Sequence, residues 1–388
     1  MTGPSFSIRE MIDRLVAFDT TSAYSNLPLI DFTEDYLKEW QIPCQRIVSP
    51  AGTHANLFAT VGPAIPGGVV LSGHSDVVPV TGQPWSSDPF TVVEKQDRLY
   101  GRGTADMKSF LAIALALVPH FKSLPLKRPL HIAMSYDEEV GCMGVGPMIK
   151  HVTAHLPLPE MVIIGEPSSM QIVNGNKGIV TCRTQITGKA AHSSLPDAGA
   201  NAIVAGARLV GFLNKLAREF EASARPDSPF HPPYTTFNIG RFDGGKAINI
   251  IAQDCLIEWE FRPTPDTNVA ALKEKIFSFL TDEILPDLRA NAPEATIETQ
   301  VMADVPGLAP ETDGAAEALI RHLSGANASS VVSFCTEGGL FQEAGFSTVV
   351  FGPGSIEQAH QPDEFIALEQ IAACEDFLRK LAQWACEK

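Results

Sequence analysis

Short apolar segments that alternate with helical stretches limit what the first 175 residues of this chain can fold into. Residues 68–73, 130–134 and 161–164 are nearly continuous apolar runs of strand length, and the pattern at 107–121 is helical. Strands that are apolar on both faces are typical of a parallel sheet with helices packed on both sides. We therefore predict an α/β fold in which a mostly parallel sheet, with helices on both faces, forms the core of the main domain.

The order of the predicted elements changes between residues 178 and 303, which indicates a second domain inserted into the first. The new order is strand, helix, strand, strand, helix, strand, which is the ferredoxin-like βαββαβ pattern. These elements are predicted at residues 179–187, 200–221, 235–241, 255–262, 269–284 and 295–302. The first sheet would be completed by later elements at 313–323, around 331, at 348–351 and at 368–384. We predict one domain from residues 1–177 and 304–388 and an inserted domain from residues 178–303.

The composition excludes several classes of protein. With 388 residues, 45% of them hydrophobic, the chain is long enough for two or three domains that each bury a core. Its 29 Lys and Arg against 45 Asp and Glu give a net charge of −16, which disfavours binding to nucleic acids or anionic membranes. The most apolar run, residues 110–118, is far shorter than the roughly 20 residues of a membrane-spanning helix. We predict a soluble protein with no nucleic-acid or membrane partner.

Cysteine usage and the first residues of the chain indicate its compartment. The seven cysteines are odd in number and widely spaced, without the CxxC pair of a disulfide framework or a thiolate metal site. Near the start, Arg9, Glu10 and Asp13 interrupt the apolar run that a secretory signal needs. We therefore predict a reduced, cytoplasmic protein.

Histidines and carboxylates follow the predicted core strands or lie in loops beside them. The set consists of His74, Asp106, Glu138, Glu139, Glu166 and His360. Ligands of open α/β sheets bind at the carboxyl ends of the strands, so we predict that these side chains lie close together. Each has an ordinary alternative when it is taken alone, because an Asp that opens a helix is often an N-cap and consecutive acidic residues often form a solvated turn. Their recurrence at one strand after another favours a site.

The residue types in this set favour two divalent metal ions. Imidazole and carboxylate groups without thiolates are typical ligands of zinc and similar ions, and two histidines with several carboxylates suit a pair of ions about 3.5–4 Å apart. Asp106, Glu139 and Glu166 carry three negative charges against the four positive charges of two such ions, which leaves one for a bridging hydroxide. Glu138 then remains available as a base.

The sequence resembles the dinuclear-zinc M20 peptidase and deacylase family along nearly its whole length. The resemblance is carried, in fixed order, by the segments SGHSDVVPV, WSSDPF, LYGRGTADMKSF, DEEVG, IIGEPS, KGIV, AAHSSLPDAGANAI, PPYTTFNIGRFDGGKAINIIA, EWEFRP, CTEGG and FGPGSIEQAHQPDEF. It implies a hydrolase that cleaves the amide of a small acyl amino acid with two divalent ions, zinc or alternatively cobalt.

Two other classes of protein are disfavoured. A homologue that only binds its ligand would be expected to lack metal ligands or the base, and all of them are present here. A serine hydrolase is disfavoured because Ser355 lacks the GxSxG frame.

The resemblance also implies a role for each matching residue. His74 and Glu166 would hold one ion, Glu139 and His360 would hold the other, and Asp106 would bridge them. In this family the peptide bond after the bridging Asp is cis, so a cis bond is expected after Asp106.

Proton transfer would depend on two further carboxylates. The resemblance implies that Asp76 binds no metal itself and orients the ligand His74. Glu138 would take a proton from the attacking water and pass it to the leaving amine, first as general base and then as general acid.

The inserted domain would act as a lid and form a homodimer. The resemblance implies that His192 reaches into the partner's site to stabilise the oxyanion. Asn249 and Arg262 would hold the substrate, with Arg262 facing its carboxylate, although a salt-bridged strand-end arginine is the ordinary alternative.

We also predict that Glu337, which precedes two glycines, contacts a positively charged substrate side chain. Its ordinary alternative is a glutamate favoured by the dipole at a helix start.

Overall fold

The computed structural model describes residues 3–387 and divides them into two compact units. The first unit contains the described residues up to Gly175, then Leu308–Val331, and the described residues from Thr336 onward. The second unit contains Asn176–Gly307 and Val332–Cys335. The prediction that the inserted part serves as a lid and dimerisation domain stays a prediction.

Fifteen strands and eleven α-helices are assigned within the described residues. The strands are β1 (Cys44–Val48), β2 (Ala55–Val61), β3 (Val69–His74), β4 (Val93–Lys95), β5 (Arg98–Tyr100), β6 (Leu130–Ser135), β7 (Met161–Pro167), β8 (Ile172–Asn176), β9 (Ile179–Thr187), β10 (Thr236–Gly244), β11 (Asp254–Arg262), β12 (Thr296–Val305), β13 (Ser329–Val332), β14 (Ser347–Gly352) and β15 (Phe365–Ala367). The helices are α1 (Ile8–Val16), α2 (Leu27–Glu39), α3 (Lys108–Ala116), α4 (Val118–Ser123), α5 (Val145–His155), α6 (Ala202–Ala222), α7 (Val269–Ser278), α8 (Leu285–Asn291), α9 (Ala315–Ser324), α10 (Gly338–Glu343) and α11 (Leu368–Trp384).

An eight-stranded sheet forms the centre of the first unit, in the order β1-β2-β6-β3-β7-β14-β8-β13. Its middle strands β6, β3, β7 and β14 are parallel, whereas β2 runs antiparallel to β6, and β8 antiparallel to β14. Every residue of β3, β6 and β7 is buried. The predicted α/β fold with a mostly parallel sheet is therefore confirmed, and the near-continuous apolar runs are explained by burial on both faces.

Helix α3 packs directly on this sheet. Val69 and Leu71 of β3 join the core that α1, α3 and α11 cover, and Val70 between them is equally buried on the opposite side. Gly165 of β7 lies against Phe110 of α3, because a Cβ at this position would stand 2.1 Å from the Phe110 ring. The absence of a side chain at Gly165 allows this close approach.

The predicted helix at 107–121 is wrong in its extent. The structure has α3 and α4 instead, divided at Leu117. Pro119 lies in the first turn of α4, where its missing N–H and fixed φ are tolerated, but it cannot continue a preceding helix. The predicted helix at 269–284 is confirmed as helical throughout, but only α7 is an α-helix, and Phe279–Ile284 form a π-helix that leads into α8.

The second unit has the predicted βαββαβ order. Its four strands form an antiparallel sheet in the order β10-β11-β9-β12. Alternate residues of β9 are buried, and α6 packs on the sheet, so one face carries the core of the unit. No helix within residues 3–387 is both long enough and apolar enough to cross a bilayer.

Candidate active site

The ends of three adjacent parallel strands bring together most of the predicted site. His74 is the last residue of β3 and pairs with Ser135, the last residue of β6. Glu138 and Glu139 follow β6 after a short turn, and Glu166 is the second-last residue of β7 on the other side of β3. Because these strands are parallel, their carboxyl ends lie at one edge of the sheet.

Asp106 and His360 come from loops. Asp106 lies in the loop before α3, and its peptide bond to Met107 is cis, as the family resemblance implied. Its carboxylate does not cap α3, whose N-cap position is taken by Met107 without a side-chain hydrogen bond. His360 follows β14 and has a left-handed backbone conformation, with φ 64°.

Asp106 stands between the two histidines. Its Oδ1 is 3.0 Å from Nε2 of His74, and its Oδ2 is 3.4 Å from Nε2 of His360. The same two nitrogen atoms also face a second carboxylate each: Glu139 Oε2 is 3.0 Å from His360 Nε2, and Glu166 Oε1 is 3.7 Å from His74 Nε2. The structure thus places all five predicted metal ligands in one cluster.

The donor atoms of this cluster fall into two overlapping groups. His74, Asp106 and Glu139 offer ligand atoms that lie within 4.8 Å of one another, and so do His74, Glu138 and Glu166. Glu138, which is predicted as the base, therefore lies beside the ligands.

The charges in the cluster affect one another strongly. Burial and the neighbouring carboxylates raise the pKa values of Glu138, Glu139 and Glu166 above their ordinary value. Burial alone would also raise the pKa of Asp106, but hydrogen bonds from His360 and His74 outweigh it and lower that pKa. Hydrogen bonds to Asp106 and Glu139 raise the pKa of His360 to about 10.

The donor set fits divalent metal ions. Within residues 3–387, these carboxylates form ion pairs only with His74 and His360. Carboxylates packed this closely repel one another, and a divalent cation relieves that repulsion while it accepts their oxygen atoms and the imidazole nitrogens as ligands.

Asp76 holds the segment that carries Glu138 and Glu139. Its carboxylate accepts hydrogen bonds from the N–H groups of Glu138 at 3.1 Å and Glu139 at 3.2 Å, and from the hydroxyl of Ser22 at 2.7 Å. Nδ1 of His74 lies 2.9 Å from the backbone carbonyl oxygen of Asp76, but 3.5 Å from its carboxylate. The nearer partner of His74 is therefore the backbone of Asp76, and the Asp76 carboxylate positions the backbone of Glu138 and Glu139.

Glu337 is buried beside the cluster. It stands at the N-cap position of α10, but its side chain does not cap the helix. Its side chain interacts with Ser135, and its charge raises the pKa values of Glu138 and Glu166. Burial raises the pKa of Glu337 itself to about 7, and its Oε1 has no hydrogen-bond partner among the described residues.

The remaining predicted residues belong to the second unit. His192 is exposed, forms a bridge with Ile250, and has its Nδ1 2.7 Å from the Ser194 hydroxyl. The next residue, Ser193, donates its N–H to the carbonyl of Asn249, so His192 and Asn249 lie in neighbouring segments. Their roles stay predictions.

Arg262 ends β11 and donates to Glu260, with its Nε 3.1 Å from Oε1. Burial and the positive charge of Arg262 lower the pKa of Lys177 to about 8. The structure therefore shows Arg262 as a salt-bridged arginine at the end of a strand, which is the ordinary alternative. The role of Arg262 in binding the substrate carboxylate stays a prediction.

Two buried charged residues near the cluster were not predicted. The guanidinium of Arg102 donates to Glu364 at 2.7 Å, and both side chains are almost fully buried. Both residues lie within segments that carry the family resemblance, LYGRGTADMKSF and FGPGSIEQAHQPDEF. The position of these charged residues inside segments that match the family was the available sign that they lie near the site.

Comparison with known proteins identifies the class. Residues 70–384 match the model of peptidase family M20/M25/M40, so the chain belongs to this family and is a metal-dependent hydrolase. It is 34% identical over 385 residues to an acetylornithine deacetylase of Photorhabdus laumondii, covering 97% of each chain. It is 35% identical over 374 residues to one of Proteus mirabilis, covering 95% of this chain and 93% of the relative.

Solved structures of the family share the fold. An M20 family metallo-carboxypeptidase from Sulfolobus solfataricus aligns with a TM-score of 0.74 and 18% identity, covering 98% of this chain and 99% of that one. A dinuclear metal-binding M20 peptidase from Bacillus subtilis aligns with a TM-score of 0.64 and 15% identity, covering 97% and 96%. At these identities the likeness is one of fold.

Proposed function

We propose that the protein hydrolyses the amide bond of N2-acetyl-L-ornithine to give L-ornithine and acetate, as a step of arginine biosynthesis in the cytoplasm. The observation that carries the chemistry is that the five metal-ligand candidates, Asp106 included, lie in one cluster, with Glu138 beside them. The choice of substrate is supported by the relatives named acetylornithine deacetylase, which match over nearly the full length of the chain. The odd, widely spaced cysteines support a reducing compartment.

The same cluster is proposed to hold two divalent ions, zinc or alternatively cobalt. His74 and Glu166 would hold one, Glu139 and His360 would hold the other, and Asp106 would bridge them. When bound, such ions would polarise the acyl carbonyl and lower the pKa of a water molecule, so that hydroxide is available to attack the carbonyl carbon.

Glu138 is proposed to carry the proton. Its backbone N–H donates to Asp76, and its carboxylate lies beside the proposed metal ligands, so this group can accept a proton from the attacking water. As the C–N bond breaks, Glu138 donates that proton to the nitrogen, so that it leaves as a neutral amine. Asp76 acts by positioning the segment that carries this base.

An alternative is a related N-acyl amino acid deacylase, such as a succinyl-diaminopimelate desuccinylase. The observation that favours it is the Gly338–Gly339 pair at the start of α10. Both glycines are buried, and neither offers a side chain to shape the space next to Glu337.

Turnover of competing substrates distinguishes these functions. Metal-free protein would be reloaded with zinc or cobalt and assayed with N2-acetylornithine, N-acetylmethionine and N-succinyl-diaminopimelate. We expect the highest kcat/KM for N2-acetylornithine and no turnover before metal is added. A preference for the succinylated substrate would favour the desuccinylase, and full turnover by the metal-free protein would contradict the proposed mechanism.

Glu337 is proposed to bind the side-chain ammonium group of the substrate. Glu337→Gln should lower kcat/KM for N2-acetylornithine by about 30-fold or more, because removing one partner of a desolvated charge pair costs about 2 kcal/mol or more. The uncharged substrate N-acetylmethionine should lose much less. The matched control is Glu343→Gln, which changes an exposed glutamate of the same helix. Equal losses on both substrates would mean that Glu337 supports the cluster and does not select the substrate.

We also propose that the second unit forms a homodimer through the edge of its sheet at β10. This strand pairs only with β11 in the described sheet, and an unpaired edge can add a strand from another chain. Exposed apolar side chains lie on and near this edge: Phe242, Val204, Ile248 and Ile250. The Phe242 side chain lies close to Gly206 of α6, so strand and helix contribute to the same surface.

A charge placed on this edge should therefore separate the subunits. We expect Phe242→Glu to shift the protein from dimer to monomer in sedimentation equilibrium at concentrations where the wild type is dimeric. Met302→Glu is the matched control, because Met302 is an exposed apolar residue on β12, at the opposite edge. A monomeric wild type, or a Phe242→Glu variant that stays dimeric, would contradict this interface.

A further inference from the structure

A hydrogen-bonded chain, buried at Arg102 and Glu364, joins the backbone of Asp106 to the backbone of His360. Glu364 Oε1 accepts the N–H groups of Ala105 at 2.8 Å and Asp106 at 3.0 Å, and its Oε2 accepts from Arg102 Nη1 at 2.7 Å. Arg102 Nη2 donates to Gln83 Oε1 at 2.6 Å. The amide nitrogen of Gln83 then donates to the carbonyl of His360 at 2.9 Å.

This arrangement is poorly explained as a device for stability alone. The exposed fractions of the Arg102 and Glu364 side chains are 1% and 0%, and the desolvation of such a pair offsets most of its attraction. The planar guanidinium can bond two acceptors in a fixed geometry, which here are Glu364 and Gln83. Its face also lies over the Trp85 ring, 5.0 Å from the centroid, which restricts its orientation.

We propose that Arg102, Glu364 and Gln83 are positioning residues that set the separation of Asp106 and His360 and thereby the affinity for divalent ions. The proposal rests on the metal site of the proposed function, but it does not depend on the identity of the substrate. Glu364 fixes the peptide of Asp106, which would contact both ions, whereas His360 is the only metal-ligand candidate that Gln83 contacts. Loss of Glu364 should therefore weaken both ions, and loss of Gln83 should weaken only one.

Cobalt titration of metal-free protein tests this without measuring catalysis. Binding is followed by the visible absorption of Co²⁺ and by calorimetry, with folding checked by circular dichroism. We expect wild type to bind two ions, and Glu364→Gln to bind both about 10- to 100-fold more weakly, the usual effect of removing a group that orients metal ligands. Gln83→Ala should weaken one ion by a similar factor and leave the other unchanged. Gln83 is partly exposed, so this variant is expected to fold even where Glu364→Gln does not.

A control separates positioning from general destabilisation. Glu317→Gln removes a half-buried ion pair with Arg321 in α9, so it should lower the melting temperature without changing either cobalt affinity. Affinities within twofold of wild type in both Glu364→Gln and Gln83→Ala would overturn the positioning role and leave the proposed function intact. A wild type that binds no cobalt would overturn the proposed function itself, and this inference with it.

Discussion

Glu138→Gln is expected to keep both metal ions and to lose about 10²–10⁴-fold in kcat, the usual contribution of a general acid–base group. The amide cannot accept a proton from water, but it has almost the same shape, and the backbone N–H of this residue remains bonded to Asp76. KM should change little, because the lost interaction is made in the transition state. The measurement is steady-state kinetics on protein whose metal content has been determined.

Asp137→Asn provides the matched control for this variant. Asp137 precedes Glu138 and has a left-handed backbone that Asn tolerates, and its carboxylate faces His54 at 3.9 Å. It should therefore keep a kcat close to that of wild type. Near-wild-type turnover by metal-loaded Glu138→Gln would refute the assignment of the base.

His192→Ala is expected to lower kcat by about 10²–10³-fold, the usual cost of removing one oxyanion donor. If His192 acts in the partner's site, mixing this variant with Glu138→Gln should restore activity. Each mixed dimer then has one site with an intact Glu138 from one chain and an intact His192 from the other. Random exchange makes half of the dimers mixed, so about a quarter of wild-type activity should return.

The exchange itself must be measured for this test to be decisive. Differently tagged subunits that co-purify after mixing would show that mixed dimers have formed, and a mixture of His192→Ala with itself is the control for handling. Exchange without any return of activity would exclude a role of His192 across the dimer.

Local sequence was sufficient to predict the positions of site residues that lie at the ends of buried strands. His74 and Glu166 follow nearly continuous apolar runs, so the strand type and the direction of the chain follow from adjacent residues. Parallel strands then bring such ends to one edge of the sheet. Asp106 was also recognisable, but its contact with both histidines depends on a loop conformation that no local pattern predicts.

Contacts between distant buried charges could not be predicted in the same way. Arg102 and Glu364 are 262 positions apart, and each residue type is seldom fully buried unless it is paired. Glu337 was predicted in a substrate pocket or at an ordinary helix start, and its burial against Ser135 depends on how α10 packs beside the end of β6. The partner of such a residue becomes visible only once the fold is known.

The five proposed metal ligands are spread from residue 74 to residue 360, yet all of them belong to the first unit. Bound ions would therefore act as cross-links that close long loops of the first unit, including the loop that contains the second unit. Each ion would add a linkage free energy of about 2.7 kcal/mol to folding when its free concentration is 100 times its Kd. This energy would be lost when the first unit unfolds, so the thermal resistance of that unit would depend on metal supply.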